Sequence, residues 1–158
     1  MDGLLTFVTI LLALYALGMV FIPLFAAYRN EQKKKQTREH IYSLVNRGSA
    51  LTVQQFFAIR NTGYDAMLRY PGIYILYNKT KNMHYVGQAL NPVERVNCHF
   101  TGKGNGDVYA DYKYGDEFTI KIIRLEQSGY STLNQLEAAT IMAYDAYRNG
   151  YNKTRGNK

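Results

Sequence analysis

Tyr74, Tyr85, Arg95, His99 and Glu137 are the side chains of this 158-residue sequence best placed to do chemistry together. Phenols and imidazoles move protons, a guanidinium clamps anions, and a carboxylate holds a hard cation. Three local patterns single these residues out. The run Gly72-Ile-Tyr-Ile-Leu-Tyr-Asn78 follows Pro71, is rich in β-branched and aromatic residues, and ends in the polar stretch Asn78-Lys-Thr-Lys-Asn82; Met83-His-Tyr-Val-Gly87 is a second such run. Together they read as a hairpin with Tyr74 and Leu76 on one face and Ile73 and Ile75 on the other, so that two phenols are held near each other across it. Next, Asn91-Pro92-Val93-Glu94 supplies a capping residue, Pro at the first helical position and Glu three residues after the cap, which starts a helix. On that helix Arg95 and His99 stand at i and i+4, on one face, so both side chains can point into one cleft. Finally, residues 131–149 read as an amphipathic helix capped by Ser131 and stopped by Gly150. Glu137 lies in its second turn at the edge of an apolar stripe with Leu133 and Ile141, where a carboxylate needs a reason to be.

Several other chemistries are excluded. Cys98 is the only cysteine, which rules out a cysteine-based zinc cluster and an internal disulfide. His40, His84 and His99 share no metal-ligand spacing. Cys98 and His99 are neighbours on a helix, where adjacent side chains diverge, so Cys98 reads as a packed thiol. The glycines of Thr101-Gly-Lys-Gly-Asn-Gly-Asp107 lack a preceding strand and the spacing of a phosphate-binding loop, and read as a flexible surface loop.

In their order along the chain, Gly72-Ile-Tyr74, Tyr85-Val-Gly87, Arg95, His99, Glu137 and Asn152 of Gly150-Tyr-Asn152 resemble the GIY-YIG endonuclease family, over roughly residues 70–153. Val86 stands where the second tripeptide usually has Ile, and a further histidine of some members has no counterpart in residues 101–107. The resemblance implies an α+β domain with a three-stranded antiparallel sheet flanked by helices, and hydrolysis of a phosphodiester. It assigns Glu137 to a single Mg²⁺ or Mn²⁺ whose other positions stay open to water and phosphate oxygens, as a hard cation prefers. It assigns Arg95 to the scissile phosphate and Tyr74 to the role of general base, with Tyr85 beside it. His99 would assist proton transfer or orient the phosphate, and Asn152 would buttress the site.

The elements that must position these residues occupy only the later part of the chain. From Gly3 to Tyr28 there is no charged residue, and about 25 helical residues are enough to cross a hydrocarbon core of about 30 Å. Residues 3–28 are therefore expected to form a transmembrane helix in contact with lipid. A cleavable signal is disfavoured, because a basic n-region is missing and Phe25-Ala26-Ala27 is a poor small-x-small site. The run Arg29-Asn-Glu-Gln-Lys-Lys-Lys-Gln-Thr-Arg38 after the span places the later part in the cytoplasm. Residues 29–69 read as a basic juxtamembrane segment and helical connector, with a helix capped by Thr52, burying Phe56, Phe57 and Ile59 and ended by Gly63. Residues 70–153 are the nuclease domain and 154–158 a tail.

All 19 Lys and Arg lie after residue 28 and the formal net charge is +7, a surplus that attracts polyphosphates. Tyr109, Tyr112 and Tyr114 near Lys113 read either as packed rings or as base-stacking ones. The chain has no room for a separate recognition module, so low sequence specificity is expected. The expected function is a membrane-anchored, metal-dependent endonuclease acting on nucleic acid, DNA first, and on DNA crossing the membrane. The alternative is a catalytically weak module that binds nucleic acid or protein at the membrane.

Overall fold

A computed structural model of the chain describes residues 2–62 and 69–157. The chain divides into two compact units, one up to Gln36 and the other from Thr37 onward. Helix α1 spans Asp2–Val45, with Pro23 inside it. In the first unit its apolar side chains between Leu4 and Tyr28 are exposed. None of its apolar window is buried, and its length and hydropathy are sufficient to cross a membrane.

The second unit is built on one antiparallel sheet. β1 (Leu51–Thr52), β2 (Gly72–Asn78), β3 (Met83–Ala89) and β4 (Phe118–Arg124) lie in the order β1-β4-β2-β3. The β2–β3 hairpin pairs Tyr74 with Gly87 and Leu76 with Tyr85, so Tyr74 and Tyr85 are diagonal neighbours on one face, as the alternation requires. On that face Tyr74, Leu76 and Ile120 pack with Val53 and Phe56 of α2 (Val53–Asn61), with Val93, Val96 and Phe100 of α3 (Pro92–Phe100), and with Val108 of α4 (Gly106–Lys113). On the other face Ile73, Ile75, Val86 and Ile123 pack with Leu136 and Ile141 of α5 (Leu133–Ala143) and with Ile41, Leu44 and Val45 at the end of α1. Helices thus cover both faces, while β3 pairs with β2 alone and forms an edge.

The last turns of α1 are tied down by more than apolar contact. His40 donates from Nε2 to the Ser128 carbonyl at 3.0 Å, Tyr42 donates its hydroxyl to the Ala143 carbonyl at 3.1 Å, and Lys121 reaches the Val45 carbonyl at 2.8 Å. The last of these places a cation on the C-terminal carbonyls of a helix, where it is favourable.

Local expectations meet the structure unevenly. Asn91 caps α3 by accepting from the Glu94 N–H, with Pro92 in the first turn, and Thr52 caps α2 in a full capping box with Gln55. Phe56 is buried, but Ile59 stays exposed; Gly63, expected to end the helix, lies outside the described residues. The sheet has four strands, not three: β1 is two residues long and runs straight into the α2 cap, too short to show any alternation. The last helix is also shorter than residues 131–149. Thr132, not Ser131, accepts from the Gln135 N–H, and the helix stops at Ala143. Asp145 then takes a left-handed φ of 50°, which ends a regular helix, and the following turns lead Tyr151 back to donate its N–H to the His84 carbonyl.

A buried polar network secures that return. Asn78 is fully buried and donates from Nδ2 to the Tyr151 hydroxyl and to Asp116 Oδ2, both at 2.7 Å. Tyr151 donates to Asp111 Oδ2 at 2.6 Å, and Lys81 binds Asp111 Oδ1 at 2.6 Å. Removing the Tyr151 hydroxyl leaves Asn78 and Asp111 each short of a partner. Tyr151→Phe is expected to lower the unfolding free energy by about 1–3 kcal/mol, read by chemical denaturation of the second unit's signal; an unchanged midpoint would show that the network adds nothing.

Candidate functional site

The site begins with a ring laid on a backbone. Tyr74 of β2 is 1% exposed, and its ring and hydroxyl cross over Gly87 on the neighbouring strand so closely that any Cβ there would collide with them. Only glycine leaves this space, which gives the second tripeptide's final residue a steric reason. Burial pushes the Tyr74 hydroxyl above the usual phenol range, Tyr85 adds to this, and Arg95 pulls it back.

His99, on α3, is completely buried and its Nε2 stands 2.9 Å from the Tyr74 hydroxyl. Its Nδ1 accepts from the Asn105 backbone N–H at 2.9 Å. Burial, followed by the nearby Arg95 charge, lowers its pKa to about 4. The Tyr85 ring lies 6.1 Å from that of Tyr74 and 4.8 Å from that of His99. Burial raises the Tyr85 pKa, Tyr74 and Arg95 counter this, and the charge of Glu137 raises it. Arg95 is exposed on α3 and acts electrostatically on Tyr74, Tyr85 and His99 alike. The i and i+4 spacing therefore brings the guanidinium and the imidazole to the same pair of phenols.

Glu137 belongs to the opposite face of the sheet. It projects from α5, is 7% exposed, and receives Gln88 Nε2 at 3.1 Å and the Asn157 N–H at 3.3 Å, both on Oε2. Gln88 Nε2 also donates to Asn134 Oδ1 at 2.8 Å, so both of its amide protons are used. The register puts Gln88 beside Ile73, on the α5 side of β3, and Tyr85 on the α3 side. The charge of Glu137 nonetheless acts on Tyr85 across β3. Asn152 lies on that edge. Its Oδ1 accepts from the Val86 N–H at 2.9 Å and its Nδ2 donates to the Val86 carbonyl at 2.7 Å, so the side-chain amide pairs with the strand as a peptide group would.

Glu137 is the residue of this site that could offer a carboxylate oxygen to a hard cation. Among the described residues no group of three or more His, Cys, Asp or Glu converges; Glu137 is the carboxylate whose charge acts on Tyr85. Its hydrogen bonds both fall on Oε2 and none is made by Oε1 among the described residues. One carboxylate oxygen with the remaining positions left to water and substrate suits Mg²⁺ or Mn²⁺.

Of the six residues singled out in the sequence, Tyr74, Tyr85 and His99 are in ring or hydrogen-bond contact, Arg95 acts on all three through its charge, Glu137 is bonded by Gln88 of β3, and Asn152 is bonded to Val86 of β3. Two further contributors were not legible. Gln88 follows the second tripeptide directly, but a lone glutamine in a strand carries no signal until α5 is docked against it. Residues 101–105, expected to be a loose surface loop, instead pack on His99: a Cβ at Gly104 would stand 2.6 Å from Nδ1. Tyr112 packs edge-on against Phe100 at 5.0 Å, while Tyr114 is 90% exposed. Cys98 is partly buried and unpaired.

Compared with known families, residues 70–152 match the GIY-YIG catalytic domain. Neither a curated protein nor a solved structure matches the chain.

The neutral, buried state of His99 has a thermodynamic consequence. Its folded pKa is depressed below the unfolded value, so its contribution to stability is complete above about pH 6.5 and is lost as pH falls toward about 4, where the unfolded chain has taken up a proton first. His84, stacked on Tyr77 at 4.4 Å and also lowered to about 4 by burial, acts in the same direction. Unfolding free energy is expected to fall by on the order of 2 kcal/mol for His99 between these limits, and a His99→Gln variant should show a shallower pH slope in denaturation. An equal slope in the variant would contradict a neutral buried imidazole.

Proposed function

The chain belongs to the GIY-YIG nuclease family, and on that premise we propose that it is a membrane-anchored, metal-dependent endonuclease hydrolysing phosphodiester bonds of nucleic acid, DNA foremost, with low sequence specificity. The observation that carries this reading is the Tyr74–His99 pair at 2.9 Å, with the Arg95 charge acting on Tyr74, Tyr85 and His99 and that of Glu137 acting on Tyr85. Arg95, exposed and charged, receives the scissile phosphate through its planar donor fork. Tyr74 is the group that takes the proton of the attacking water, in step with the formation of the new P–O bond and the loss of the old one. An ordinary phenol has a pKa near 10 and burial raises it here, so Tyr74 reaches the phenolate only when positive charge gathers beside it. Arg95 supplies part of that charge. A Mg²⁺ or Mn²⁺ ion held on Glu137 Oε1 would supply the rest, together with stabilisation of charge on the phosphoryl oxygens. Gln88 and Asn157 hold the other oxygen of Glu137, and Asn152 keeps β3 straight at Val86.

Anchoring is read from residues 3–28, whose exposed apolar side chains have no place in water. The basic residues from Arg29 to Arg38 put the nuclease unit on the cytoplasmic side. Held there, a nuclease without a recognition module gains its selectivity from location, which fits DNA passing through the membrane.

The test is cleavage of supercoiled plasmid and single-stranded DNA by the full chain in detergent. Mg²⁺-dependent nicking is expected, abolished by EDTA, and lowered about 100-fold or more by Glu137→Ala and by Arg95→Ala; Tyr74→Phe should lower it by about 100-fold or more as well. Activity that survives EDTA and Glu137→Ala would overturn the metal assignment, and DNA binding without cleavage by the wild type would favour a tethering role. Deletion of residues 3–28 is expected to move the protein from the membrane to the soluble fraction after ultracentrifugation; continued membrane association would refute the anchor.

A further inference from the structure

We infer that residues 101–105 lock His99 in the tautomer that carries its proton on Nε2, so that His99 serves Tyr74 only as a hydrogen-bond donor and the backbone N–H of Asn105 is a positioning group of the site.

The inference follows from the two contacts of the ring. A backbone N–H can only donate, so His99 Nδ1, at 2.9 Å from the Asn105 nitrogen, must offer its lone pair. The ring is fully buried and stays neutral beside Arg95, leaving one proton for two nitrogens. That proton sits on Nε2, which is 2.9 Å from the Tyr74 hydroxyl; Nε2 donates and the phenol oxygen accepts. The opposite tautomer would set two N–H donors against each other in a buried space.

The local chain is built for this contact. Lys103 donates its N–H to the Cys98 carbonyl at 2.8 Å, turning the chain back over the end of α3. At Gly104 a Cβ would lie 2.6 Å from Nδ1 and 2.7 Å from the His99 Cα, so a side chain there would push the Asn105 N–H out of reach. The Asn105 side chain is engaged elsewhere, accepting from the Asp107 and Val108 N–H groups at the start of α4. Its backbone and side chain therefore have separate tasks.

The consequence rests on the role proposed for Tyr74. A phenolate at Tyr74 receives the His99 N–H from one side and Arg95 from another, and the pocket is organised for the ionised oxygen. His99 cannot take the Tyr74 proton, because Nε2 already holds one and Nδ1 is occupied. The Tyr74 hydroxyl, accepting from His99, directs its own proton toward Tyr85, and His99 orients and stabilises without titrating.

The experiment is long-range ¹H–¹⁵N correlation spectroscopy of the full chain in detergent, selectively labelled at its three histidines, with His99 assigned by its absence in His99→Gln. The expected spectrum has a protonated Nε2 and an unprotonated Nδ1 that persist from pH 8 to pH 5. A proton on Nδ1, or titration of His99 near pH 6.5, would overturn the inference. Asn105→Pro provides a second arm: the native φ of −74° is one that proline adopts, and the substitution removes the N–H, whereas Asn105→Ala removes only the cap. The proline variant is expected to show mixed tautomers and a His99 pKa moved up toward 6.5, with cleavage at least tenfold below the alanine variant, which keeps the single tautomer. Identical His99 spectra in the two variants would refute a role for the N–H. The spectra are read without substrate or metal, so a failure of the nuclease reading leaves this result separately decided.

Discussion

The open edge of β3 is the constraint on which the arrangement depends. Inside a sheet, residues that alternate along a strand are separated by the sheet itself, and side chains on opposite faces cannot meet. At an edge they can, because no further strand among the described residues lies beyond it. Tyr85 and Gly87 face α3 while Val86 and Gln88 face α5, and the charge of Glu137 on the second side acts on Tyr85 on the first. An unpaired edge is also exposed to unwanted pairing. The Asn152 amide and the Tyr151 N–H occupy the outward groups of Val86 and His84, so the edge is closed there by two residues rather than by a fifth strand.

Placing the phenol of Tyr74 in the interior has a cost, since a buried hydroxyl without a partner loses several hydrogen bonds to water. His99 meets that need directly, and it in turn is satisfied at Nδ1 by a main-chain donor. The chain of contacts from Asn105 through His99 to Tyr74 is short, buried at His99 and Tyr74, and made of neutral groups. Arg95 stands outside it with its charge available to an anion. The charged member on the other side, Glu137, is similarly fixed through one oxygen only. Neutral partners thus hold the phenol, while Glu137 is fixed in a buried position and Arg95 is exposed.

The first unit answers a different physical question. Its apolar side chains remain uncovered from Leu4 to Tyr28, and the stretch is long and apolar enough to cross a membrane. The same helix assignment continues to Val45, where Ile41 and Leu44 are buried against the sheet. The last turns of α1 therefore belong to the core of the second unit, together with the α5 residues that carry Glu137.

Where local chemistry decides, the sequence was sufficient. The alternation of β2 fixed that Tyr74 and Leu76 share one face and Ile73 and Ile75 the other, Asn91 and Pro92 fixed the start of α3, and that start fixed the common face of Arg95 and His99. The order of these residues was enough to show the family, and the uncharged run after Gly3 was enough to show a helix of membrane-crossing length. What depended on distant contacts was not legible. Two residues of β1 form a strand only because β4 lies beside them. The end of α5 is set by Asp145 and by the return of Tyr151 to β3, not by Gly150. Gln88 and the Asn105 N–H gain their roles only when α5 and the end of α3 are packed in place, because a hydrogen bond between residues far apart in sequence, or through the main chain, leaves no pattern in residue types.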